Sequence, residues 1–302
     1  LMLAVTILGN NSALPAYDRH PTAQIITMDE HLFLVDCGEG TQMQLSRYKI
    51  RRSRINHIFI SHLHGDHYFG LIGLITSMGL MHREHELHLY APAPLKDLIQ
   101  WQLDVASTAL PFNIDFHPLT EDGIIASSPK FIVEAFKVFH RIDCWGFKFR
   151  QVKAPRKVNP LKARENKIPE YYFDRLKKGE DFVRPDGSIL KNEVVTDAAP
   201  PAKTYAFAAD TVYNEAVAGK VAEVDLLYHE ATYLKDLEDR AVARFHCTTT
   251  QAATIARIAK VKKLLLGHFS SKYEKLDSFL EEAREIFPET ELALEGVTYR
   301  IG

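Results

Sequence analysis

The sequence predicts an α/β fold, a four-layer αββα sandwich with a projecting basic arm. Three observations carry that expectation. Apolar runs of strand length alternate with stretches of helix length in both halves of the chain. Several histidines and carboxylates stand directly after such runs, where α/β folds collect functional groups along one edge of a sheet. Between the halves, residues 153–202 are proline-containing, irregular and rich in cations.

Taken in order, residues 3–8, 23–28 and 32–35 read as strands, the last two joined by the polar turn Asp29-Glu30-His31. Asp36-Cys37-Gly38-Glu39-Gly40-Thr41 leads into a helix reaching about Tyr48, with Asp36 a turn-former that could also lie near a metal. Arg47, Lys49, Arg51, Arg52 and Arg54 make a basic cluster that is either a solvated face or a phosphate contact. The apolar run Ile58-Phe59-Ile60 ends the next strand, and residues 70–81 read as a helix. His82, His85 and His88 follow at three-residue spacing, but a strand over 86–90 breaks any shared helical face, so they read as surface histidines. A helix over 94–105 precedes strands at 113–117, 124–127, 131–138 and 145–152. After the arm, strands at 204–208, 225–228 and 263–266 alternate with helices near 213–218, 248–260 and 275–286. Two short strands, 291–294 and 297–301, close the chain.

Length alone suggests about two domains; the preferred reading is one domain over residues 1–302 with the arm inserted at about 153–202. Between Lys148 and Lys191 there are thirteen cations and six anions, +7 on a chain whose formal net charge is −2. The chain as a whole therefore does not announce a polyanion ligand, but the arm does. Cys37, Cys144 and Cys247 are the only cysteines, an odd number without paired spacing, which points to a reducing compartment without structural disulfides. The opening apolar run lacks a basic leader and reads as a buried strand rather than a signal peptide, and no run is long enough to span a bilayer. A cytoplasmic, membrane-free protein is expected.

The densest chemistry lies in His62-Leu63-His64-Gly65-Asp66-His67, an HxHxDH order directly after a buried strand. Imidazole and carboxylate without thiolate suit zinc or a similar divalent ion in a hydrolytic site. His62 and His64 can serve one ion, and Asp66 and His67, beyond the turn at Gly65, a second one. Two ions about 3.5–4 Å apart would clamp the oxygens of a phosphoester displacement. His140, Asp210 and His268 each end an apolar run, as does His229-Glu230. His140 can complete the first ion's ligands, His268 the second's, and Asp210 can bridge the two.

These residues carry a resemblance. The HxHxDH motif, with His140, Asp210 and His268, resembles the metallo-β-lactamase superfamily. Within it, Asp36-Cys37-Gly38-Glu39-Gly40-Thr41-Gln42, His229-Glu230-Ala231-Thr232 and Gly267-His268-Phe269-Ser270-Ser271 are similar to the ribonuclease Z group, endonucleases that trim the 3′ trailer from precursor tRNA. The resemblance runs nearly end to end. It implies two Zn2+ per chain, or Mn2+ or another divalent ion, on His62, His64, Asp66, His67, His140, Asp210 and His268. It also implies that Asp66 orients and deprotonates the attacking water, while His246, steadied by Glu230, assists the leaving 3′ oxygen. The implied products are a tRNA 3′-hydroxyl and a trailer 5′-phosphate. The implied assembly is a homodimer in which one subunit's arm presents precursor tRNA to the other's metals. The chain departs from the group at His246-Cys247-Thr248, where His-Ser-Thr is common, and at the arm's tip. That tip is usually Gly-Pro-rich; here it reads Asn166-Lys167-Ile168-Pro169-Glu170-Tyr171-Tyr172. The competing expectation is a small-molecule phosphodiesterase or sulfatase of the same superfamily, which has no use for a cationic arm. A binding-only relative is disfavoured because all seven expected ligands are present.

Overall fold

Every residue of the first strand, β1 (Leu3–Gly9), is buried, which requires cover on both faces of its sheet. The computed structural model describes residues 2–302 and supplies that cover. Around β1 lie β2 (Ala23–Met28), β3 (His31–Val35), β4 (Ile55–Phe59), β5 (Leu87–Ala91), β6 (Ile114–Pro118) and the returning β14 (Thr298–Ile301). They form one seven-stranded sheet in the order β14-β1-β2-β3-β4-β5-β6. The pairing is antiparallel from β14 to β3 and parallel from β3 to β6.

The second sheet also has seven strands. It is built from β7 (Gly123–Ser127), β8 (Phe131–Lys137), β9 (Trp145–Gln151), β10 (Thr204–Ala208), β11 (Leu226–Glu230), β12 (Leu264–Gly267) and β13 (Thr290–Leu292). The order is β13-β12-β11-β10-β9-β8-β7, with β10 to β13 parallel.

One apolar cluster, including Val5, Phe33, Phe59, Phe147, Phe207 and Tyr228, joins the inner faces of the two sheets. The Tyr205 hydroxyl donates to Gln24 between them. A second cluster packs α1 (Thr41–Arg47), α3 (Leu71–Leu80) and α4 (Pro94–Val105) on the outer face of the first sheet. A third packs α5 (Ala216–Lys220), α7 (Thr249–Ile258) and α8 (Asp277–Arg284) on the second. The layers are therefore αββα. A one-turn helix, α2 (Gly65–Tyr68), carries half of the HxHxDH motif, and α6 (Glu238–Arg244) precedes His246.

Contacts divide the chain into two compact units, 1–150 with 203–302, and 151–202. The smaller unit differs from the irregular segment expected of it. It contains short helices at Pro160–Glu165, Phe173–Lys177 and Asn192–Val195, and two two-stranded pairs. Ala163, Ile168, Tyr172, Leu176, Phe182, Leu190 and Val195 bury themselves as its core. Elements of four to six residues are too short for apolar periodicity to register, which is why the sequence looks patternless there. Among the described residues, no helix is long and apolar enough to cross a membrane.

Two glycines hold the motif loop tightly against its neighbours. A Cβ on Gly70 would stand 2.2 Å from the Gly38 carbonyl oxygen, and one on Gly38 would stand 2.4 Å from that of Asp66. Both obstacles are backbone, so neither can swing aside. Gly70→Ala is expected to cost about 1–3 kcal/mol as overpacking does, seen as a lower calorimetric unfolding midpoint. An unchanged midpoint would show that the loop yields freely.

Candidate active site and metal centre

The predicted ligands arrive at one place because they end strands of the two facing sheets at the same edge. His62 follows β4, Asp210 follows β10 and His268 follows β12, all on the C-terminal edge of parallel strands. Asp210 (φ 50°), His268 (φ 59°) and Asp36 (φ 56°) adopt left-handed backbone conformations as they turn off their strands. Non-glycine residues avoid that region, and its repeated use is backbone strain that aims side chains inward.

Two donor groups result. In the first, His62 Nε2 and His140 Nε2 stand 3.0 and 3.1 Å from His64 Nδ1, and Asp210 Oδ2 lies 3.4 Å from His62 Nε2. In the second, His67 Nε2 and His268 Nε2 each stand 3.5 Å from Asp66 Oδ2, and 3.3 and 3.0 Å from Asp210 Oδ1. Asp210 thus turns one oxygen to each group.

The imidazoles are held from behind. Asp36 Oδ2 accepts from His67 Nδ1 at 2.7 Å and also receives the Ser61 hydroxyl, while its other oxygen takes the Ser61 amide. The Phe245 carbonyl accepts from His140 Nδ1 at 2.9 Å. Thr232 Oγ1 sits 3.0 Å from His268 Nδ1 and donates to Glu230. Such partners on the far nitrogen orient a ligating imidazole and raise its basicity. Asp36, expected as a turn-former that could also lie near a metal, turns with a φ of 56° and accepts from His67 on the nitrogen facing away from the donor cluster.

The cluster fits divalent cations by its own chemistry. His67 Nε2, His268 Nε2 and Asp210 Oδ1 are buried and without hydrogen bonds, and all three converge on one point. Burial, with His67 beside it, lowers His62 to a pKa of about 3, and burial with His140 lowers His64 to about 4, so both stay neutral, the form that ligates. Burial also disfavours a proton on His67, yet Asp210, Asp66 and Asp36 outweigh it and push that pKa well up. The same buried negative charge that would hold a proton there is what a cation would neutralise. Ligand geometry at bond lengths of about 2.0–2.1 Å also sets donors about 3.3 Å apart, near the separations above.

Beside the donors, His246 Nδ1 is 2.9 Å from Glu230 Oε1, which also takes the Thr211 amide. Burial disfavours the His246 imidazolium, but the Glu230 carboxylate overcomes it and raises the pKa to about 9. Asp66 Oδ2 receives the Ala13 amide at 2.7 Å. Cys247 is buried and its thiol is pushed well up by that burial, so it is no nucleophile.

A cleft of about 580 Å³ opens over His64, Asp66, Asp210 and His246. Its cations are Arg141, Arg240 and Arg244, which sequence reading did not single out. Arg240 and Arg244 sit four apart on α6, so a helix just before His246 was the signal available. The predicted basic cluster is tied up elsewhere in part, with Arg52 on Ser46 and Arg54 on the Glu30 carbonyl.

The chain resembles known proteins over nearly its whole length. Ribonuclease Z of Bacteroides thetaiotaomicron is 41% identical over 297 residues, 98% of this chain and 94% of the relative. Ribonuclease Z of Phocaeicola vulgatus is 41% identical over 299 residues, covering 98% and 97%. Among solved structures, human tRNase Z, short form, superposes with a TM-score of 0.72 at 26% identity, covering 99% of both chains. The metallo-β-lactamase fold protein YhfI from Bacillus subtilis reaches 0.71 at 20% identity over 99% of this chain and 100% of its own, a likeness of fold. A family model described as Anti-Pycsar protein Apyc1 matches residues 3–141. With two-fifths of its residues shared across the full span of its relatives, this metallo-β-lactamase-fold chain belongs to the ribonuclease Z family.

Proposed function

We propose that the protein is a metal-dependent endoribonuclease that removes the 3′ trailer from precursor tRNA, leaving a tRNA 3′-hydroxyl and a trailer 5′-phosphate. The observation that carries this reading is Asp210, whose two oxygens face two separate donor groups beside a histidine held protonated by a buried carboxylate. His62, His64, His140 and Asp210 would hold one ion, and Asp66, His67, His268 and Asp210 the other, both zinc in our reading. Bound there, the ions would lower the pKa of water and neutralise charge on the phosphate.

The chain's own groups supply the rest. Asp66, whose carboxylate form is favoured against its burial by the His67 and His268 imidazoles beside it, orients the attacking water and takes its proton. His246 carries a proton at Nε2 while Nδ1 is anchored on Glu230, and it gives that proton to the departing 3′ oxygen. Glu230 is a positioning residue that acts through His246. Arg141, Arg240 and Arg244 line the cleft as cations for the phosphates on either side of the scissile bond. Incubating the protein with a precursor tRNA and mapping both new ends tests the reading. Cleavage elsewhere than the 3′ boundary of the tRNA, or a 3′-phosphate on the tRNA fragment, would sink it.

In our reading the unit at 151–202 is the arm, inserted into one domain that spans the chain, and the protein acts as a cytoplasmic homodimer; what supports the insertion is that contacts set 151–202 apart from 1–150 with 203–302. Some of its charge is already neutralised within the unit: Arg175, Lys177 and Lys191 pair with Glu180, Asp174 and Asp181. Lys162, Arg164, Lys167 and Lys178 are exposed. Replacing these four with serine is expected to raise KM for precursor tRNA with kcat unchanged. For each phosphate no longer neutralised, the salt dependence should flatten by about 0.9 log unit per log unit of salt, the duplex value. Hydrolysis of a small phosphodiester should be unaffected; an equal loss on both substrates would place the arm in the chemistry instead.

A further inference from the structure

A second group of ligating side chains stands apart from the site above and shares no residue with it. His88 lies on β5, and Asp115 and His117 lie on β6, the edge strand of the first sheet. In the β5–β6 register His88 faces Asp115 and Tyr90 faces His117, and alternation puts all four side chains on one face. His88 Nδ1 is 3.1 Å and His117 Nε2 2.9 Å from Asp115 Oδ2, and the two nitrogens are 3.4 Å apart. A tetrahedral ion with bonds of about 2.0–2.1 Å sets its donors about 3.3 Å apart. The triangle therefore matches three corners of such a site.

Both imidazoles are also held in place before any ion arrives. His57 stacks on His88 with ring centroids 4.8 Å apart, and Tyr90 stacks on His117 at 4.3 Å and 10° between planes. Preset rings lose little freedom when they ligate. The His88, Asp115 and His117 side chains are 30, 42 and 36% exposed, so an ion can enter from solvent and a water can take the fourth corner.

We propose that His88, Asp115 and His117 form a binding site for a divalent transition-metal ion, with zinc the best match to two imidazoles and a carboxylate. Bound there, the ion links edge strand β6 to β5 and fastens a strand that has a partner on one side only. The site needs no step of the cleavage reaction.

The test uses the full chain and three variants, His88→Phe, Asp115→Leu and His117→Phe, which keep approximate size, and for the histidines a stacking ring, while removing one ligand each. Each protein is dialysed to equilibrium against micromolar free zinc, and the bound metal is counted by mass spectrometry. Each variant is expected to hold one ion fewer per chain than the unsubstituted protein, and to cleave precursor tRNA at an unchanged rate. Zinc should also raise the unfolding midpoint of the unsubstituted chain more than that of the variants. Equal counts in all four proteins would overturn the proposal and leave a hydrogen-bonded His–Asp–His group. Because the readout is a difference between chains with the same catalytic cluster, it stands whatever that cluster holds. Circular dichroism checks each fold, and the ligands sit on two strands, so any variant that folds decides the question.

Discussion

Asp210→Ala is expected to cost the protein metal and activity together. Among the described residues, no other side chain turns an oxygen to each donor group, and Asp210 is buried with Oδ1 unbonded between His67 and His268. In the proposed site its removal would delete a ligand from both ions at once. Cleavage should fall about a thousandfold or more, the size that several kcal/mol of lost transition-state stabilisation implies. Elemental analysis should show the bound metal reduced in the same preparation. Asp210→Asn separates charge from shape: it keeps the side chain's outline but halves its capacity to ligate, and should be nearly as defective. Full cleavage by either variant, with metal retained, would remove Asp210 from the centre of the site.

His246→Ala should slow the chemical step by about a hundredfold to ten-thousandfold, the range general-acid groups contribute. Metal content and precursor binding should be unchanged: His246 Nδ1 is engaged by Glu230, and although His246 lies with Asp210 and His268 within reach of an ion, the proposed pair is complete without it. The pH dependence carries a sign. Glu230 raises the His246 pKa to about 9 against the effect of burial, so the proton is present through the neutral range and lost as pH rises toward that value. Single-turnover cleavage should therefore decline on the alkaline side in the unsubstituted protein, and that decline should vanish in His246→Ala. Glu230→Gln removes the carboxylate that holds the proton, so it should shift the alkaline decline to lower pH and reduce the rate less than His246→Ala does. If His246→Ala cleaves at the unsubstituted rate under single-turnover conditions, another group protonates the leaving oxygen.

Much of this was legible in the chain because it is written in local pattern. Apolar runs of strand length locate β1, β2 and β10 to within a residue, and the helix expected over 94–105 is α4. His62, Asp210 and His268 could be placed at strand ends from the chain alone, since period and run length decide where a strand stops. The misses are local too. The helix expected near 213–218 begins at Ala216, where the Asn214 side chain accepts its first free amide. Helix α6 left no signature because Ala241 is its only buried residue, so it shows no apolar stripe, and with it went Arg240 and Arg244.

What the sequence by itself determined, then, is the succession of strands and helices that makes two covered sheets, the imidazoles and carboxylates of the candidate donor set with their strand-end positions, and a cation-rich insertion. Tertiary structure alone decided which groups stand behind the ligands. The Phe245 carbonyl reaches His140 across 105 residues of chain, and Asp36 reaches His67 across 31. It alone also brought His88 to Asp115 and His117, a grouping absent from the chain's local pattern, in which His82, His85 and His88 read as surface histidines. The physical reason is the same in each case. Alternation and periodicity say which face a residue occupies, but the register between strands and the turn of a loop are settled by packing of the whole core, and a metal or hydrogen-bond partner is chosen by distance in space.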